Sequence, residues 1–69
     1  MSYAAEEAVI GSLLMDQGSM NQIYDILGPE MFTSKMLGEV FHEFQKGYSK
    51  RYDVDLIILE QKFRSNEVP

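Results

Sequence analysis

The chain has 69 residues, 45% of them hydrophobic and 25% charged, with one histidine and no cysteine or tryptophan. A chain this short buries only about 60% of its unfolded surface, so its core must be simple. The composition excludes a disulfide staple and leaves no thiolate or imidazole cluster for a structural zinc. No apolar run approaches the ~20 residues that cross a bilayer, and no basic-then-apolar leader opens the chain. One small domain of a reducing compartment is expected over 1–69, read as cytoplasmic.

Charge narrows the partners. Six basic against eleven acidic residues give a net charge of −5. Residues 1–34 hold Glu6, Glu7, Asp16, Asp25 and Glu30 but no Lys or Arg, whereas residues 35–69 hold six of each sign. Phosphate binding depends on cations, so the first half repels nucleic acid. Lys46, Lys50 and Arg51 form the one basic concentration, and their simplest role is to complement a helix C-terminus.

Four helices are expected in chain order, over about 3–16, 20–27, 35–49 and 56–65. The first has Ser2 as N-cap and Glu6 and Glu7 on an early, solvated turn. Its apolar face is Val9, Ile10, Leu13 and Leu14. Gln17-Gly18 ends it. The second opens on Ser19-Met20-Asn21-Gln22, a capping-box pattern, and carries Met20, Ile23 and Leu27 at i, i+3, i+7. Gly28-Pro29 stops it, and Pro29 opens a short turn near 29–32.

The third helix begins at Ser34 or Lys35. Leu37, Val40, Phe41, Phe44 and Tyr48 fall at i, i+3, i+4, i+7, i+11, a buried stripe. Gly47 weakens its last turn by roughly 1 kcal/mol relative to Ala, so fraying is expected there. The fourth segment, Val54 to Leu59, is strand-like by composition. Helix is favoured because Asp55 suits an N-cap, Val54 and Leu59 match a hydrophobic staple, and no second strand exists to pair. Residues 66–69 are read as irregular. The whole is an all-α, small orthogonal helical bundle. Its expected core is Ile10, Leu14, Ile23, Leu27, Leu37, Val40, Phe41, Phe44 and Leu59.

Catalytic patterns are missing. His42 sits among Glu39, Glu43 and Lys46 as an exposed helix histidine. Asp53-Val54-Asp55 lacks the glycine and distal glutamate of a calcium loop, which leaves Asp55 a capping role. The five glycines are scattered and form no phosphate loop. No catalytic, metal or cofactor residues are assigned, and neither ATP hydrolysis nor single-stranded DNA binding is expected. A second face of the first helix is the one candidate site: Ala4, Ala8, Gly11, Ser12 and Met15, with no charged residue between Ala8 and Met15. Such a face packs either on another helix of the same chain or on a neighbouring subunit or partner helix, with Met15 an adaptable rim.

Three blocks together resemble the N-terminal domain of DnaB-type replicative DNA helicases. Ala5-Glu6-Glu7-Ala8-Val9-Ile10-Gly11-Ser12-Leu13-Leu14-Met15-Asp16 is similar to that family's A-E-(E/Q)-x-V-L-G-x-L-L-L-D. Ile23-Tyr24-Asp25-Ile26-Leu27-Gly28-Pro29-Glu30-Met31-Phe32 is similar to V-x-D-I-L-x-P-E-D-F. Val54-Asp55-Leu56-Ile57-Ile58-Leu59, with Val40-Phe41 before it, is similar to (P)-I-D-L-V-T-L and its preceding I-F. The chain departs at Leu37, where the family has His, at Met31, where it has Asp, and at Arg51, where it has Gly. The resemblance implies a fragment of a larger helicase N-terminal domain, lacking the helical hairpin and ATPase domain that follow in the family. It implies a non-catalytic collar domain that self-associates and contacts primase and helicase loaders in DNA replication, with ATP and Mg confined to the ATPase domain. The competing reading is a stand-alone acidic helical regulator or mimic, phage or plasmid encoded, that binds primase or a loader.

Overall fold

A computed structural model describes the backbone of residues 1–67 and the side chains of residues 1–64. Helix α1 spans Tyr3–Met15, α2 spans Lys35–Lys50 and α3 spans Leu56–Glu67, with 3-10 helices at Gln17–Gln22 and Pro29–Met31 between the first two. No strand occurs among the described residues, so the fold is all-α.

Local chemistry sets the element boundaries. Ser2 Oγ accepts from the Ala5 amide at 3.1 Å and caps α1. Asp16 ends it in extended conformation and turns its carboxylate onto the Gly18 amide at 2.9 Å. Ser34 caps α2 through the Leu37 amide. Asp55 caps α3 by accepting from Ile57 and Ile58, with buried Leu59 and half-buried Val54 completing the staple. The helical reading of this β-branched segment is correct because capping outweighs a strand propensity that has no partner to satisfy it.

The second expected helix, 20–27, differs in kind. The chain runs as a 3-10 helix over Gln17–Gln22 and then as hydrogen-bonded turns over 23–26. Asp16, not Ser19, caps it, and the Ser19 hydroxyl donates to the Asp16 carbonyl at 2.8 Å. In a three-residue period Met20 and Ile23 eclipse, which aims both at the core. Met20 is fully buried there. Side chains supply the bonds that regular structure does not. Gln17 donates to the Val54 carbonyl and accepts from the Val54 amide, both at 2.8 Å, and Gln45 donates to the Leu27 carbonyl.

The core consists of Ile10, Leu13, Met20, Phe32, Leu37, Phe41, Phe44 and Leu59. Phe41 is fully enclosed, and its ring meets Phe32 at 5.1 Å, tilted. Ile23, Leu27 and Val40 are half-buried against this cluster. Leu14 corrects its expected core place, for it is 47% exposed. The inward line of α1 is Glu6, Ile10 and Leu13, at i, i+4, i+7, and Leu14 lies about 100° around from Leu13. Tyr48, the last member of the expected α2 stripe, is exposed but stacks at a tilt on Tyr24, 5.1 Å away.

The end of α2 is a closed helical turn. The helix is continuous to Lys50 and closes on Arg51 in the left-handed region (φ 63, ψ 46). The Tyr52 amide reaches back to the Gly47 carbonyl at 2.9 Å, the long bond of a Schellman closure. Gly47 is buried, and a Cβ there would lie 2.8 Å from the Tyr52 carbonyl oxygen. Its glycine is needed for close approach, despite its poor helix propensity. Opposite outcomes follow for the two positions. Arg51→Gly should stabilise by about 0.5–1 kcal/mol, the relief of the left-handed side chain less glycine's extra unfolded freedom. Gly47→Ala should destabilise although alanine is the better helix former. Urea titrations of both variants check this, and a stabilised Gly47→Ala would show that the loop yields freely.

Helix α3 continues past the expected end at residue 65 to Glu67, so 66 and 67 are helical; Val68 and Pro69 lie outside the described residues. Glu43 on α2 joins it to the bundle, with Lys46 at 3.0 Å and Lys62 of α3 at 3.1 Å. Partial burial raises the Glu43 carboxyl, but the two ammonium groups outweigh this and hold it below the ordinary glutamate range.

Candidate protein-contact surface

Glu6 decides how α1 sits. It is fully buried, against the expectation of a solvated early turn. Its Oε2 accepts from the Thr33 amide at 3.0 Å and the Thr33 hydroxyl at 2.6 Å, and its Oε1 accepts from the Ser34 amide at 2.9 Å. Burial raises the carboxyl, yet these bonds and the N-terminal ammonium override it and leave Glu6 below the ordinary range. The carboxylate thus satisfies otherwise unpaired amides at the α2 start, where the helix dipole also favours an anion. Sequence reasoning missed it. The available signal was its register with Ile10 and Leu13.

With Glu6, Ile10 and Leu13 turned inward, the opposite side of α1 faces out. Ala4, Ala8, Ser12 and Met15 are exposed, Met15 to 91%, and Gly11 is partly exposed. A Cβ built on Gly11 meets nothing within 4 Å. Packing on another helix of the same chain, one of the two readings of this face, is therefore overturned among the described residues. The Ser12 hydroxyl donates to the Ala8 carbonyl at 3.0 Å, so its polar group is occupied within the helix. What remains is a low, nearly uncharged helix surface that another backbone can approach closely.

Beside it a groove of about 210 Å³ runs between the three α-helices, walled by Leu14, Met36, Leu56 and Phe63. On the far side of α2, exposed His42 borders a shallow groove of about 540 Å³ with Pro29, Phe32, Lys35 and Glu39. Lys46 is engaged by Glu43, and Lys50 lies in the last turn of α2. No group of three His, Cys, Asp or Glu side chains suited to a metal ion occurs among the described residues. No described helix is long and apolar enough to cross a membrane. The surface of the described residues offers shape and apolar contact.

No curated protein and no solved structure matches the chain. A family model, the DnaB-like helicase N terminal domain, matches residues 1–68. The all-α fold of the described residues is in accord with that match. With the match running over nearly the whole sequence, the chain belongs to the DnaB-like helicase N-terminal domain family.

Proposed function

We propose that this domain is the assembly and docking part of a replicative hexameric helicase, building the ring's collar and receiving primase or a loader. The observation that carries the reading is the open outer face of α1. Ala4, Ala8, Gly11, Ser12 and Met15 are the contact residues on this reading, and the occupant is a neighbouring copy of the domain. Family membership supports that occupant, since these helicases work as oligomeric assemblies. Small side chains let a neighbouring backbone approach, and Met15 adapts to what it meets. ATP and Mg fall to the motor domain, and DNA is left to other parts of the ring, consistent with the net charge of −5.

Two substitutions test the face. Ser12→Leu points into solvent in the isolated domain and should leave its melting midpoint unchanged. In the assembly it overpacks the contact by about 1–3 kcal/mol, so association should weaken roughly fivefold to a hundredfold. Gly11→Ala should stabilise the isolated domain by up to about 1 kcal/mol, because its Cβ meets nothing, while also weakening association. Sedimentation over a concentration series reads both. Parental association in the two variants would remove α1 as the interface.

A further inference from the structure

We propose that α3 is a hinged flap, which opens as a unit about Asp55 while α1, α2 and the Val54 anchor stay folded. Opening uncovers an apolar strip on the other two helices. The proposal is independent of the outer face of α1 and of what meets it.

The three helices hold unequal shares of the core. Helix α1 buries Ile10, Leu13 and the Glu6 carboxylate, and α2 buries Leu37, Phe41 and Phe44. Among the described side chains of α3, Leu59 alone is buried and Phe63 is half-buried, whereas Ile57 and Ile58 are 71% and 63% exposed. Stabilisation by burial follows the apolar area removed from water, so α3 is fastened less firmly than α1 and α2 are to each other. The bonds from Glu6 to Thr33 and Ser34 join those two without α3. A helix of 12 residues is marginal away from its packing, so loss of the Leu59 and Phe63 contacts releases the whole element.

The pivot is set by what holds the residue before the flap. Gln17 grips both backbone groups of Val54 at 2.8 Å, and Val54 Cγ2 lies 3.1 Å from where a Cβ on Gly47 would stand. The next residue, Asp55, is exposed, and its carboxylate accepts from Ile57 and Ile58 within α3. Rotation there breaks neither the Val54 anchor nor the cap. Lys62 bonds across to Glu43 at 3.1 Å, but its side chain is 52% exposed, which makes a weak clasp. Glu43 retains Lys46 at 3.0 Å when α3 leaves, so opening strands no buried charge. The seat then laid open is a strip of Ile10, Leu14, Met36 and Val40.

Native-state hydrogen exchange of the 69-residue chain in low urea tests this by NMR. The amides of Leu59 to Phe63 should be at least about tenfold less protected than those of Phe41 to Gln45. They should share one shallow urea dependence, while the α2 amides follow the steep dependence of global unfolding. The Val54 amide should stay more protected than those of α3. Glu6→Gln weakens the α1–α2 junction and leaves the seat of α3 untouched. It should lower α2 protection severalfold and leave α3 protection unchanged, because the opened form loses the same bonds. A common protection and urea slope for both helices would overturn the proposal, since the domain would then open only as a whole. Protection that declines residue by residue along α3 would reduce the motion to end fraying and overturn it too. A Val54 amide that exchanges together with α3 would remove the pivot at Asp55.

Discussion

Phe41→Ala should leave the domain largely unfolded at physiological temperature. Phe41 is fully enclosed at the centre of the core, with its ring 5.1 Å from Phe32. Truncating a buried phenylalanine costs about 3–5 kcal/mol, the lost transfer energy plus the cavity left behind. A chain of this length has roughly 3–10 kcal/mol of stability to lose. Relaxation offers little relief, because Phe41 is fully enclosed in a cluster it shares with Phe32 and with Ile10 and Leu13 of α1. Tyr48→Ala is the matched comparison. That ring is 42% exposed and touches Tyr24 from the surface, so its loss should cost far less. Circular dichroism melts of the pair distinguish them. A cooperative Phe41→Ala transition within a few degrees of the parent would place Phe41 at the periphery of the stabilising core.

The second large effect belongs to Glu6, and it depends on pH. In the folded domain its carboxyl lies below the ordinary glutamate value of about 4.3, despite burial, because three donors and the N-terminal ammonium favour the anion. A carboxyl depressed by folding contributes its full stabilisation above the unfolded-state value. As pH falls below about 4.3 the unfolded chain takes up its proton first, and the contribution is lost until the folded carboxyl protonates as well. Glu43 is shifted in the same direction and adds to the same acid loss. Glu6→Gln keeps the shape but presents an amide NH2 where a carboxylate oxygen stood. With its carbonyl placed on the two Thr33 donors, the Ser34 amide loses its acceptor inside the protein. The variant should therefore melt several degrees lower at neutral pH and lose stability less steeply below pH 5. Melting midpoints measured from pH 7 to pH 3 read both effects. An unchanged acid slope in Glu6→Gln would show that other carboxylates carry it.

The two effects differ in how visible they were beforehand. Phe41 stands in a stripe of Leu37, Phe41 and Phe44 whose helical spacing identifies an inward face with no knowledge of neighbours. Glu6 stands beside Glu7 in a first turn, where acids are ordinarily solvated and need no explanation. Its partners, Thr33 and Ser34, are 27 and 28 residues away in the chain. Local patterning carries no information about such a pairing. The same holds for Gln17, which looks like a helix terminator and in fact holds the backbone of Val54, 37 residues on.

The candidate surface divides in the same way. That Ala4, Ala8, Gly11, Ser12 and Met15 share one face of α1 follows from helical geometry alone. Whether the face lies inside the bundle or outside it depends on which other line of α1 the rest of the chain covers. Glu6 settles that by docking on the α2 start, and Leu14 moves to the flank as a consequence. The groove was less legible still, since its walls come from three helices and Leu14 was expected in the core.

Sequence by itself determined the properties that arise within a few residues of each other: the all-α class, the Ser2 and Asp55 caps, the Val54–Leu59 staple, the α2 stripe, the acidic first half and the family motifs. Each rests on periodicity, capping or charge, which act at short range and need no partner. Tertiary structure alone decided the burial of Glu6, the tightening of residues 17–22 into a 3-10 helix, the need for glycine at position 47, the left-handed closure at Arg51 and the openness of the α1 face. All of these depend on packing and hydrogen bonding between segments distant in sequence or pressed together by the fold. A side chain's pattern specifies which way it tends to point, but what it meets there is set by the rest of the molecule.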